Sequence, residues 1–116
     1  MKFDQQSAQR RVDEIQAVYR EWLALQPKLE RAEQDWRRSI ELMAEMEAFY
    51  FGEAESSSDY SLLHEAEEQG LALDWTTEGE YSVLSEDALW NAFHEQQTLA
   101  WRRLRSALAV LDKEGG

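Results

Sequence analysis

Few side chains in this 116-residue chain can carry chemistry: two histidines, His64 and His94, no cysteine, and 24 carboxylates against 12 lysines and arginines. A helix-borne zinc site needs a second histidine four residues on, which neither His64-Glu65-Ala66-Glu67-Glu68 nor His94-Glu95-Gln96-Gln97-Thr98 supplies. A carboxylate di-iron bundle needs Glu three residues before each His, where this chain has Ser61 and Asn91. It also lacks a calcium loop of Asp-x-Asp-x-Asp-Gly form and a Gly-rich phosphate loop. The residues therefore predict no enzyme, no catalytic group, no cofactor and no metal site. His64 reads as a solvated helix residue, and His94 as a bundle residue level with Met43.

What the carboxylates offer instead is a field. From Ser39 to Trp101 there are 15 Asp and Glu and not one Lys or Arg, so the net charge is +1 over 1–38, −15 over 39–101 and +2 over 102–116. A block of one sign attracts cationic partners and repels nucleic acid and anionic membranes. The residues expected to meet a basic partner are Glu53, Glu55 and Asp59, then Glu65, Glu67 and Glu68, then Asp74, Glu78 and Glu80. Trp75 and Trp90 lie inside the block, where phosphate is repelled, so the tryptophans are assigned to packing and not to base stacking.

The elements that must hold these charges are helical. From 4 to 51 apolar residues recur at three and four: Ala8, Val12, Ile15, Tyr19, Trp22, Leu25, Leu29, Ala32, Trp36, then Met43, Met46 and Tyr50. The stripe has a 3-3 step at Trp22 and Leu25, beside the only proline, Pro27, where a kink is expected in one continuous helix. Gly52 stops it. A short helix over 58–69 starts at a Ser58 cap and ends at Gly70, and the alternation of Leu71, Leu73, Trp75, Tyr81 and Val83 allows a small hairpin over 71–84. Ser85 caps a last helix over 85–112, with Glu86 and Asp87 in its first turn.

The fold expected is thus mainly α, one domain over 1–116: a long kinked N-terminal helix packed antiparallel on a C-terminal helix. Level ends put Phe51 beside Glu86. The long helix then overhangs at its N-terminus, and Val12, Ile15, Tyr19 and Trp22 there predict self-association as a homodimer. Hydrophobic residues at 43% and five tryptophans exclude a disordered acidic tail. The absence of cysteine, of an apolar signal core and of a membrane-length apolar run suits a cytoplasmic protein.

The run Ser82-Val83-Leu84-Ser85-Glu86-Asp87-Ala88-Leu89-Trp90-Asn91, with Phe49-Tyr50-Phe51 and Asp59-Tyr60 before it, resembles the signature of the bacterial domain-of-unknown-function family 4298. Over about residues 30–112 that resemblance implies a long N-terminal helix, an aromatic pair at its end and a signature opening the last helix. Ser82 departs from the family's Gly and Trp90 from its Tyr. The resemblance implies a bacterial source and carries no activity or site. Leu-Ser-Glu-Asp is what a buried helix start needs, so the motif is read as structural.

The function expected is a non-catalytic acidic helical interaction module that self-associates and docks a basic protein, with no membrane or nucleic-acid partner. The alternative is a nucleic-acid mimic that occupies a basic nucleic-acid-binding protein. Duplex DNA carries one charge per about 1.7 Å, so an acidic end roughly 20–25 Å long needs about 12–15 charges to match it.

Overall fold

Asp4 opens the first helix. Its carboxylate accepts the Ser7 N–H at 2.8 Å and the Ser7 hydroxyl at 2.9 Å, while the Ser7 hydroxyl oxygen accepts the Asp4 N–H at 3.2 Å. This reciprocal cap satisfies donors that the first turn leaves without partners. These bonds hold the Asp4 carboxyl below its ordinary range, chiefly through the Ser7 backbone N–H.

The computed structural model describes residues 3–53 and 57–115. It has three helices, α1 Gln5–Phe51, α2 Asp59–Glu68 and α3 Ala88–Gly115. The fold is mainly α, as the periodicity predicts. α1 runs without a break through Pro27, so the proline costs it one backbone bond and not its continuity. Gly52 ends it at φ 83°, a conformation that favours glycine, with its N–H bonded to the Ala48 carbonyl at 3.0 Å.

Ser58 caps α2 by accepting the Ser61 N–H at 3.1 Å, and the helix closes on Gly70 at φ 109°. There the Gly70 N–H reaches the Glu67 carbonyl and the Leu71 N–H reaches that of Ala66. That pair of bonds is the closure a left-handed residue permits after a helix. The short helix thus lies where the sequence puts it.

Two expectations fail. Among the described residues there is no strand, so the hairpin over 71–84 does not form. The Asp74 carboxylate takes the Thr76 N–H at 2.8 Å, removing a donor that a ladder needs, and the Trp75 ring turns to α2. Two isolated strands would have been marginal in any case. Ser85 does not cap the last helix either. Its N–H and hydroxyl both donate to the Ser82 carbonyl, at 3.0 and 2.6 Å, closing a turn. The ladder of α3 begins two residues later, at the Asp87 carbonyl, which accepts the Asn91 N–H at 2.8 Å. Glu86 and Asp87 therefore precede the helix.

The chain divides into two compact units, Met1–Leu42 and Met43–Gly116. In the first, α1 buries no side chain. In the second, Leu84, Leu89 and Ser58 are 9, 4 and 5% exposed and mark a small core. No helix among the described residues is long and apolar enough to cross a membrane.

Candidate interaction surface

Aromatic contacts build the core of the second unit and so fix where its acids can point. Phe51 stacks on Phe93 with centroids 5.6 Å apart, and Tyr50 meets Phe93 edge-on at 5.8 Å and Tyr60 at 4.7 Å. Tyr60 then meets His64 at 4.6 Å, and His64 meets Trp75 at 5.3 Å. Such pairs are worth about 0.5–1.5 kcal/mol each beyond the area they bury. The end of α1 thus faces Phe93 and not Glu86, two helical turns away from the level-ends register. The later start of α3 and the loop before it account for the difference.

His64 is not the solvated helix residue expected. It is half-buried, and its Nε2 donates to the Leu84 carbonyl at 2.9 Å, tying α2 to the loop before α3. Nothing in the spacing of the sequence signals a bond across 20 residues. His94 is exposed and meets Trp90, one turn before it, at 4.8 Å. Among the described residues no group of three or more His, Asp or Glu is placed to hold a metal ion.

The acidic residues surround this core in two conditions. Glu53, Asp59, Glu65, Glu68, Glu78 and Glu80 are exposed, while Glu55 lies outside the described residues. Glu53 and Asp59 line one open hollow together with Glu45, which the sequence reading did not single out. Glu67 and Asp74 have work within the fold. Half-buried Glu67 accepts the Trp75 indole N–H at 2.6 Å, and the Thr76 N–H holds the Asp74 carboxyl below its ordinary range. Glu86 and Asp87 also bear on the core: burial first, then Tyr50 and these two acids, raises the Tyr60 phenol above its ordinary value.

In the first unit Val12, Ile15, Tyr19 and Trp22 are 60, 48, 50 and 48% exposed. Arg11, Val12, Ile15, Gln16 and Tyr19 line a shallow groove along α1. The structure therefore leaves on the surface the residues that the overhang assigns to self-association. Ion pairs along α1 join Arg11 to Glu14, Arg37 to Glu33 and Arg38 to Glu41 at 3.1, 3.6 and 2.8 Å. All are exposed, and pairs of this kind contribute about 0–1 kcal/mol.

A mainly helical protein with aromatic contacts at the meeting of three helix ends, and with Leu84 and Leu89 of its signature run buried, is the class defined here. The chain belongs to the family described as a domain of unknown function (DUF4298), whose profile matches residues 12–106. The match reaches further toward the N-terminus than the resemblance near residue 30 suggests. No curated protein and no solved structure matches the chain. The family's signature supplies Leu84 and Leu89, the two buried hydrophobic residues, which supports its structural reading.

Proposed function

We propose that the protein is a non-catalytic interaction module with two surfaces: an acidic one on residues 43–101 that docks a basic protein, and an apolar one on α1, through Val12, Ile15, Tyr19 and Trp22, that joins copies of the chain. The observation that carries the first is the absence of any Lys or Arg from 39–101, in a region whose acids lie mostly on the surface around a folded core. With no Lys or Arg inside that stretch, most of the field of these carboxylates is left for a partner. The α1 surface is supported by the exposure of those four side chains.

The test compares the natural chain with one carrying Glu65→Gln, Glu68→Gln, Glu78→Gln and Glu80→Gln. Immobilised natural chain should retain a basic protein from lysate at low salt and release it at high salt, and the neutralised chain should retain little of it. Equal retention by both chains refutes the acidic reading. Release by duplex DNA at constant salt favours the nucleic-acid mimic, because a mimic and DNA compete for one groove.

A further inference from the structure

The apolar stripe of α1 has a symmetry that its faulted heptad conceals. From Ala8 to Trp36 the steps run 4, 3, 4, 3, 3, 4, 3, 4, which reads the same in both directions about Trp22. The 3-3 step that looks like a defect is the centre of that pattern. The steps average 3.5, the coiled-coil value, so the stripe stays on one face over its whole length. Pro27, five residues beyond Trp22, falls about 140° away around the helix, off the stripe.

We propose that two copies of the chain pair antiparallel through this stripe, with the two-fold axis at Trp22. The inference rests on the self-association read above and adds its direction and register. In this arrangement residue numbers of facing positions sum to 44. Trp22 meets Trp22 of the second copy, Tyr19 lies level with Leu25, Ile15 with Leu29, and Val12 with Ala32. Every stripe residue faces another, with none left opposite a polar side chain. A regular heptad stripe superposes on its reverse about the middle of every step; the 3-3 fault leaves this one a single register that keeps every residue from Ala8 to Trp36 facing another.

Charge selects this direction over the parallel one. Residues 1–42 hold eight basic and eight acidic side chains, while 43–116 hold four and 16, so the whole −12 follows the stripe in each chain. A parallel pair of helices, about 8–10 Å apart, sets residue 43 of one copy beside residue 43 of the other. The antiparallel pair puts those two positions about 63 Å apart along α1, at 1.5 Å per residue, against a screening length of about 8 Å at physiological salt. Repulsion between the acids that open the second region on α1, Glu45 and Glu47, thus opposes the parallel pair and barely touches the antiparallel one. Reversal also brings Arg11 level with Glu33 of the second copy, whereas a parallel pair aligns Arg11 with Arg11 and Glu33 with Glu33.

The absence of native cysteine makes disulfide trapping clean. Val12→Cys and Ala32→Cys chains, distinguished by a size tag, are mixed, equilibrated and oxidised, with helicity checked by circular dichroism. The expected product is the mixed Val12→Cys to Ala32→Cys disulfide, with little cross-link from either chain alone. Dominant cross-linking of Val12→Cys to itself overturns the antiparallel register while leaving self-association standing. A monomeric mass by light scattering of the natural chain at micromolar concentration removes both. Salt gives a reading that needs no substitution: between 0.05 and 0.5 M the antiparallel dimer's Kd changes by less than about threefold, and tightening by tenfold or more marks a parallel pair.

Discussion

Residues 1–42 and 43–116 solve the problem of staying folded by different means. The first region is electrically balanced and from Gln5 on is helix whose side chains are all at least partly exposed; its order comes from the Asp4–Ser7 cap, helix propensity and exposed ion pairs. The second carries the full net charge of −12 and gathers three helix ends around Leu84, Leu89 and a run of aromatic rings. Charge and core thus coincide in the second region, while exposed apolar side chains occur in both, along α1 from Val12 to Leu42 and along α3 from Leu99 to Leu111. Isolated helices without a packed face are marginal in water, so the association proposed above matters more to the first region than to the second.

Core truncation should separate the two most sharply. Leu89→Ala should cost about 2–5 kcal/mol by the usual scale for buried leucines, seen as loss of the near-ultraviolet aromatic signal at lower temperature. Ile15→Ala, measured at concentrations too low for association, should cost no more than about 0.5 kcal/mol beyond helix propensity. Equal costs would mean that the second region has no core of its own.

Next in size is His64→Ala, which takes the donor from the Leu84 carbonyl and should cost about 1–3 kcal/mol. His64→Gln should recover part of that in urea unfolding, and no difference between the two would show that the bond adds nothing. Trp75→Phe keeps the ring against His64 but deprives Glu67 of its N–H, for about 1 kcal/mol in this partly exposed setting.

Titration sharpens the comparison further. The Tyr60 phenol is raised in the fold, so the protein holds that proton more tightly than the unfolded chain does. Its contribution is complete below the unfolded value of about 10 and is lost as pH rises through the folded value. Tyr60→Phe should therefore flatten the alkaline fall in stability, and an unchanged slope would count against burial of the phenol. The smallest effects are at Asp4 and Asp74, one in each region. Both are depressed, so their contributions are present above the ordinary value of 3.8 and vanish as pH falls through the lower folded values. Carboxyl shifts followed by NMR should place both midpoints below 3.8, and a midpoint at or above it would deny the backbone bond concerned.

The features readable from the sequence were those with local causes. Apolar period, the Ser58 cap and the glycines at 52 and 70 placed α1 and α2 because each acts within one helical turn. The misses came from contacts between elements and from one competing local bond. Leu71, Leu73 and Trp75 alternate as a strand does, yet Trp75 is drawn to Glu67 and His64 on α2. Ser85 has the chemistry of a cap, but the nearby Ser82 carbonyl engages it first. For the acidic surface, exposure could be expected from composition. That Glu67 faces an indole while Glu65 and Glu68 face water depends on which side of α2 turns inward, which Leu62, Leu63 and Ala66 alone do not decide.

The bonds that close the second region are short-range in the chain: 8 residues separate Trp75 from Glu67, and 20 separate His64 from Leu84. Loops of such length close at modest entropic cost and favour rapid folding. Synthesis proceeds from the N-terminus at about 5–20 residues per second, so the α1 stripe emerges from the ribosome seconds before the signature that supplies Leu84 and Leu89. During that interval the nascent chain displays its neutral apolar stripe without the negative charge that follows. Two neighbouring ribosomes on one message would then offer each other the stripe before either had made the region that repels.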